Sequence, residues 1–400
     1  MGFKIGIVGC GRFASCFVPL FKAHPAVDEV VLCDTIRSRA EKYAKNFGLD
    51  RVVDHFNDVL RSDVDAVAIL TQRWMHAPMA LKALRAGKHV YSAVPAAASV
   101  EEMQELVETV KQTGLTYMVG ETSYYYGAAV YCREKWKRGE FGLFVYGEGE
   151  YLHDMSHGFY DAFRHSGGEQ WKRSAGFPPM LYPTHSVSIV LSVTGARATS
   201  VSCLGYRDQH EDGIFRVGAN NWDNEFSNQT ALFRTSDGGV LRVNEFRRIG
   251  VSNTRSVRLS LFGTLGSFEE QPEKATFTTV NRTLEDATNI VASLDHPVDD
   301  WLAEGLNEQL KEEFSTGFAQ SHHEERKRLP EEFRGLPNGH EGSHQFLVDD
   351  MCVAVTTNTL PPNHVWAAAR YNLPGIVAHQ SSLREGEHIP VPDLGWPDDA

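Results

Sequence analysis

The sequence predicts an α/β protein: a doubly wound parallel sheet first, then a second α/β domain built on antiparallel strands. Three observations predict it. Short apolar runs alternate with helical stripes through the first 120 residues. A glycine-rich turn stands where the first strand passes into the first helix. Beyond residue 122 the pattern changes to runs that alternate with period two. Strands alternating with helices of about 10–15 residues imply a parallel sheet, whereas period-two runs joined by tight turns imply an antiparallel one.

The elements follow in order. Lys4–Val8 is a buried strand ending in Gly9-Cys10-Gly11. Phe13, Cys16, Phe17, Leu20 and Phe21 recur at helical spacing, and His24-Pro25 ends that helix. Glu29–Cys33 is a second strand, closed by Asp34. A helix from about Ser38 to Phe47 stops at Gly48, a usual residue just past a helix end. Ala66–Leu70 reads as a strand, His76–Ala86 as a helix stopped by Gly87, and His89–Ser92 as a strand. Ser99 and Glu102 form a capping-box sequence ahead of a helix reaching Thr113, and Thr116–Val119 is the next strand. The predicted boundaries are therefore 1–122 for the first domain and 123–400 for the second. There, Tyr124-Tyr125-Tyr126 precedes a helix from about Ala128 to Arg138. Phe144–Tyr151, Gln229–Arg234, Gly239–Phe246 and Ser256–Phe262 then alternate, with Ser236-Asp237-Gly238-Gly239 as one turn.

The first turn carries the chemistry. Gly9-Cys10-Gly11-Arg12-Phe13-Ala14 has the GxGxxA spacing of a dinucleotide-binding Rossmann turn. Gly9 permits the tight turn, Gly11 lets a pyrophosphate approach the backbone, and Ala14 keeps the helix close to the sheet. The helix start offers free N–H groups to phosphate oxygens. Asp34, 25 residues after Gly9, is placed to accept hydrogen bonds from the adenosine ribose and to repel a 2′-phosphate, which favours NAD over NADP. Arg37 and Arg39 lie nearby and act against that preference.

Composition excludes several classes. The 400 residues carry a net charge of −13, a poor match for nucleic acid or an anionic membrane. No apolar run reaches the length of a bilayer span, and the run Phe3–Val8 is too short for a signal peptide. Six scattered cysteines without a CxxC pair read as reduced, mostly buried thiols, and a cytoplasmic location is expected. No HExxH or CxxC spacing points to a metal.

The stretch Asp65–Thr71, then His76, then Ala83-Leu84-Arg85-Ala86-Gly87-Lys88-His89-Val90 resembles the Gfo/Idh/MocA oxidoreductases, the family of glucose–fructose oxidoreductase and inositol dehydrogenase. The resemblance implies a Rossmann domain and a second domain whose large, mostly antiparallel sheet covers the nicotinamide. It also implies a homo-oligomer associated through that sheet. Where the family has Glu-Lys-Pro this chain has Ala93-Val94-Pro95, without the lysine credited with proton handling. The NAD-dependent glycosidase branch, of alpha-N-acetylgalactosaminidase type, is nearer: it has Glu-Val-Pro there. Tyr151-Leu152-His153-Asp154 looks like its YxHD segment, Tyr182-Pro183-Thr184-His185 like its YPTH segment, and Gly339-His340-Glu341-Gly342 like its later glycine–histidine motif. Thr122 stands where that branch has asparagine, and residues from about 272 to 338 are unmatched. The resemblance places cofactor contacts at Arg12, Phe13, Thr71, Arg73, His76, Ala93, Val94 and Thr122, beside Gly9, Gly11 and Asp34.

In the second domain His185 is the first catalytic candidate, because an imidazole exchanges protons near neutral pH. Tyr182, three residues earlier, would share its face on a helix. Tyr151 and His153 alternate on one face of a strand, with His153 and Asp154 as an orienting pair or, equally, a structural hydrogen bond. Lys172, Thr184 and His340 complete the expected substrate contacts. Tyr124–Tyr126 reads as core or as a sugar-stacking platform. His322-His323 reads as surface. Residues from about 296 to 338, with Lys311-Glu312-Glu313 and Glu324–Arg328, read as a charged surface insertion. Three activities remain open: a sugar or glycoside enzyme that borrows and returns a hydride on NAD, a sugar or polyol dehydrogenase releasing NADH, and an NAD-binding protein without catalysis.

Overall fold

The computed structural model describes residues 2–251, 255–292, 318–336 and 338–397. They form two compact units that interleave in sequence. The first takes in the described residues up to Gly127, those from Asn289 to Ala369 and those from Leu394; the second holds Ala128–Thr288 and Arg370–Asp393.

The first unit is built on six parallel strands, β1 (Phe3–Val8), β2 (Val27–Cys33), β3 (Arg51–Val53), β4 (Ala66–Ile69), β5 (His89–Ser92) and β6 (Tyr117–Val119). Their order is β3-β2-β1-β4-β5-β6, and every pair is parallel. The central strand is covered on both faces, so it is a continuous apolar run: Ile5 and Ile7 are fully buried. The glycine stops hold as expected. Gly48 and Gly114 end their helices in the left-handed conformation. Ser99 accepts from the amide of Glu102, while Glu102 reaches back to the amide of Ala98 at 2.8 Å; such a cap is worth about 1 kcal/mol.

Some local expectations are corrected. The helix expected through Phe13–Phe21 is a 3₁₀ turn, Arg12–Cys16, followed by an α-helix at Val18–Ala23. Pro19 lies in the first turn of that second helix, where a missing N–H costs nothing. β3 and the helix Phe56–Arg61 were not foreseen; both are short and carry too few apolar residues to show a period. Part of the expected surface insertion is anchored instead. Phe318 and Phe333 lie in the core of the first unit, and His322 is fully buried against the rings of Phe318 and Phe346. His323, half-buried, does face Glu324. Arg328 pairs with Asp349 and, at 2.8 Å, with Asp350. Lys311-Glu312-Glu313 lies outside the described residues. Tyr125 stacks on Phe346 at 4.8 Å and donates to Asp350 at 2.6 Å, which makes it core.

The second unit has nine strands: β7 (Phe144–Leu152), β8 (Ala198–Arg207), β9 (Phe226–Thr235), β10 (Val240–Phe246), β11 (Val257–Gly263), β12 (Gly266–Glu270), β13 (Ala275–Thr279), β14 (Leu284–Asp286) and β15 (Ile389–Pro390). The order is β14-β13-β12-β11-β7-β10-β9-β8-β15. All neighbours are antiparallel except β7 and β10. One face of the centre is charged, with Arg242 bonded to Glu148 at 2.8 Å and to Glu150 at 3.2 Å. The other carries the helix Thr184–Thr194. Gly149 sets that contact: a Cβ there would lie 1.8 Å from the carbonyl oxygen of Ser186, so only glycine lets the helix come this close to β7.

Candidate active site

In the first unit the expected cofactor residues gather at the carboxyl ends of five strands. Gly9 follows β1, Asp34 follows β2, Thr71 lies just past β4, Ala93-Val94 follow β5, and Thr122 lies just past β6. The strand order reverses between β1 and β4, and open α/β sheets bind ligands outside the carboxyl ends at such a switch point. Gly9 has φ +97°, and a Cβ would meet the carbonyl oxygen of Leu70 at 2.5 Å. A Cβ on Gly11 would meet no protein atom within 4 Å, which leaves that side of the turn open to a ligand.

Asp34 is buried and locked by two amides, from Cys10 at 2.8 Å and Ile36 at 2.7 Å, one on each oxygen. Each oxygen keeps a lone pair for a ribose hydroxyl. Arg37 is held by Glu41 at 2.7 Å and by Asp54, so its charge is committed away from any 2′-phosphate. The open Gly11, the first-turn amides of Arg12–Cys16 and the anchored Asp34 fit NAD.

His76 is buried between two loops, with Nδ1 2.9 Å from the carbonyl oxygen of Pro95 and Nε2 3.1 Å from that of Thr71. Burial pushes its pKa down to about 4, so the ring is neutral. It ties the end of β4 to the end of β5, and both its nitrogens face the protein. Thr71 Oγ1 lies 3.5 Å from the sulfur of Met79, Arg73 opens the 3₁₀ turn Arg73–Met75, and Thr122 donates to the hydroxyl of Tyr126 at 3.2 Å. Ala93 and Val94 are buried and present no group that can carry a proton.

The second unit brings four of the expected substrate-side residues together. The ring of Tyr151 lies 5.3 Å from His185, 6.1 Å from Tyr182 and 5.5 Å from His153. Tyr182 and His185 are 5.4 Å apart. Their meeting has a different origin from the one expected. Tyr182 is not helical: it caps the turn Pro179–Leu181 at φ −125°, because the residue before a proline is steered out of the α region, and the helix starts at Thr184. His153 and Asp154 are joined by a structural hydrogen bond, with Nδ1 of the ring 3.3 Å from the Asp154 carbonyl oxygen. The Asp154 carboxylate accepts from the amide and hydroxyl of Ser156 and from the amide of Ile249. His153 also stacks on Phe159 at 4.2 Å, and burial, with the positive charge of Arg247, pushes its pKa down to about 4. Thr184 is buried, and its hydroxyl has no hydrogen-bond partner among the described residues. Lys172 donates to the backbone of Asp212 at 2.8 Å; no described contact joins it to the ring cluster.

Sequence reasoning missed two members of this cluster. Glu245 on β10 sits opposite Tyr151 on β7 in register and is fully buried. It accepts from the hydroxyl of Ser186 and from Arg247 at 2.6 Å. Burial pushes its carboxyl up to about 7, with Arg247, Ser186 and His185 pulling the other way. Arg247 lies over the Tyr151 ring at 4.5 Å, and 6.0 Å from that of Tyr182. Their signal in sequence was slight: a buried-face glutamate at a period-two position in Asn244-Glu245-Phe246-Arg247, a run otherwise read only as a strand.

His340 belongs to the first unit, exposed, with its ring 5.7 Å from that of Phe13 in the glycine-rich turn.

Residues 3–121 match the model of the Oxidoreductase family, NAD-binding Rossmann fold. The first domain belongs to the Gfo/Idh/MocA oxidoreductases. With its NAD-binding fold, the chain is an enzyme of this NAD-dependent type. Along 98% of its length it is 27% identical to a glycosyl hydrolase family 109 protein of Streptomyces filamentosus, covering 77% of that protein. Over 47% of its length it is 32% identical to 43% of a glycosyl hydrolase family 109 protein of a Shewanella species. Among solved structures, an oxidoreductase domain protein of Kribbella flavida superposes with a TM-score of 0.73 at 18% identity, covering 98% of this chain and all of that one. Levoglucosan dehydrogenase with NADH and levoglucosan gives 0.71 at 17%, with the same coverage. These last two likenesses establish the fold. Among the described residues no helix is long and apolar enough to cross a membrane.

Proposed function

We propose that this Gfo/Idh/MocA enzyme acts on a sugar or glycoside by hydride exchange at a ring carbon, and that the exchange is transient, serving glycoside cleavage. The observation that carries the reading is the cluster of Tyr151, Tyr182 and His185 over the buried Glu245. The family 109 relatives, aligned along nearly the whole chain, support it.

Bound NAD supplies hydride acceptance and return. The chain's own groups supply the rest. Aromatic faces such as Tyr151 suit the C–H face of a sugar ring, and their polar tips hold its hydroxyls. Tyr182 or His185 takes the proton from the hydroxyl that becomes a carbonyl and later gives it back. Arg247 lies over the Tyr151 ring and near that of Tyr182. A carbonyl at C3 acidifies the adjoining C–H, so a base in the same cluster can remove that proton while the C1 substituent leaves; water then adds at C1 and a proton returns to C2, restoring the ketone before the hydride is given back. Such a route needs no pair of glycosidase carboxylates.

One assay tests it. The protein is incubated with NAD and a panel of aryl glycosides and free sugars, and aglycone release is followed alongside NADH absorbance. Aglycone release without net NADH is expected. Stoichiometric NADH would mark a plain dehydrogenase, and silence with tight NAD binding would mark a non-catalytic binder. The variant His185→Ala is expected to lose at least about 100-fold in turnover, the lower range for a general acid–base group; full turnover would remove His185 from the mechanism.

A further inference from the structure

We propose that Gln229 is a positioning residue: its buried side chain fixes the turn that precedes Tyr182, and thereby the stance of the Tyr182 ring in the cluster. The inference deepens the proposed function and rests on the role given there to Tyr182.

The turn Pro179–Leu181 leaves one amide orphaned. Its own hydrogen bonds use the amides of Leu181 and Tyr182, which donate to the carbonyl oxygens of Pro178 at 3.0 Å and Pro179 at 2.9 Å. Pro179 has no N–H to satisfy. Met180 is left, and an N–H in a first turn finds no partner within its own helix. Gln229, buried on β9, supplies one: its Oε1 accepts from the amide of Met180 at 2.9 Å.

The Gln229 amide cannot be turned over. Reversed, its NH₂ would face the N–H of Met180, donor against donor. Its nitrogen therefore points to the helix Val365–Ser382, 2.7 Å from the hydroxyl of Ser382 and 3.2 Å from Nδ1 of His379. An amide nitrogen only donates, so Nδ1 of His379 accepts. A neutral ring can do this, and burial pushes the His379 pKa down to about 4. Ser382 gives its own proton to the carbonyl oxygen of His379 at 2.8 Å and has a lone pair for Gln229. A buried side chain whose acceptor and both donors are engaged specifies a single arrangement.

Register ties this arrangement to the cluster. Gln229 stands opposite Glu245 on β10, and Glu245 opposite Tyr151 on β7, so three buried side chains form one row across the sheet. Glu245 takes the hydroxyl of Ser186. The row thus holds the segment Met180–Ser186 at both ends, with Tyr182 and His185 between them. Gly375 lets the anchoring helix close on the same turn: a Cβ there would lie 2.2 Å from Cγ of Pro183 and 2.3 Å from the carbonyl oxygen of Met180.

The test compares turnover of glycosides and free sugars, read as aglycone or NADH, for the full chain with NAD. Wild type, Gln229→Leu, Tyr182→Phe and the double variant are assayed below the unfolding temperature of each. Gln229→Leu keeps the bulk and removes all three bonds. It is expected to lower kcat about tenfold, since misplacement by about 1 Å can cost about 100-fold, and to leave NAD affinity unchanged in calorimetric titration. In the Tyr182→Phe background it is expected to cost less than about twofold more, because it acts through Tyr182. Losses that multiply would mark general structural damage and overturn the proposal. A second readout needs no turnover. With ring-labelled ¹³C-tyrosine, the Tyr182 signal, assigned by its absence in Tyr182→Phe, is expected to shift or broaden in Gln229→Leu; an unmoved signal overturns the proposal. Ser382→Ala removes one anchor, spares the Met180 bond and serves if Gln229→Leu does not fold; the same pattern is expected at about threefold, the worth of one neutral hydrogen bond. A wild type that turns over none of the sugars would overturn the proposed function, while the Tyr182 signal still decides the role of Gln229.

Discussion

The perturbation Glu245→Gln tests the electrostatics beneath the ring cluster. Glu245 is fully buried and its carboxyl is pushed from the ordinary 4.5 up to about 7, first by desolvation, against the opposing pull of Arg247. A folded-state pKa above the unfolded one means that the native protein holds an extra proton between those values. The stability this group contributes is therefore fully present below about pH 4.5 and is lost as pH rises through about 7. At about 1.4 kcal/mol for each unit of pKa, the loss approaches about 3 kcal/mol on the alkaline side. Glutamine has the shape of the protonated acid and cannot ionise. The variant's advantage should be below about 1 kcal/mol near pH 5 and reach about 3 kcal/mol near pH 8. The assay is urea unfolding of both proteins at pH steps from 5 to 8, and the quantity is the difference between them, which cancels every other titrating group. A difference that stays flat with pH would refute the reasoning. So would one of opposite sign, which would mean that Arg247 keeps the carboxylate ionised throughout.

Gly11→Ala should fold with an unchanged apo melting temperature, since its methyl meets no protein atom, yet bind NAD at least about tenfold more weakly in titration. Gly149→Ala should cost about 3 kcal/mol in chemical unfolding, the upper end for an overpacked site, because its Cβ lands 1.8 Å from a backbone oxygen of the helix that carries His185. His76→Gln should flatten the acid limb of stability. The His76 pKa is depressed to about 4, so its contribution is present above about 6.5 and lost as pH falls through 4, about 3 kcal/mol in all. The wild-type minus variant difference should thus grow with pH between 4 and 6.5, a slope opposite to that for Glu245.

The first sheet was legible because two periods and a glycine turn agree along one stretch of chain. Strand, turn and helix cues reinforce each other from Lys4 to Val119, and the residues after each strand fall at one edge by topology alone. The short β3 and the helix Phe56–Arg61 were lost for lack of periodicity. The return of the chain from Asn289 to the first unit left no local sign, because anchors such as Phe333 and His322 sit singly among charges. In the second unit the motifs around Tyr151 and Tyr182 meet in one ring cluster. Glu245 and Arg247 were missed because their significance lies in register: β10 pairs with β7 so that Glu245 falls beside Tyr151, a contact about 94 residues long in sequence that no spacing rule announces.

That register bears on proton handling in the reaction proposed above. The end of β5, where the wider family has an ionisable pair, offers only the buried side chains of Ala93 and Val94. Neither can accept, donate or relay a proton. A reaction that oxidises a hydroxyl must still place its proton somewhere, and at neutral pH that needs a group titrating near 7 or coupled to one. Under the proposed function the second unit supplies it, with an imidazole at His185, phenols at Tyr151 and Tyr182, and the buried carboxyl of Glu245, pushed up to about 7. Ser186 links them, since it follows His185 on the helix and hydrogen-bonds Glu245 from within the same turn. If the first unit binds the dinucleotide and contributes no proton carrier at β5, His185→Ala and Glu245→Gln should alter the pH profile of turnover while leaving NAD affinity untouched. Loss of NAD binding in either variant would place those residues with the cofactor and undo the division of labour argued here.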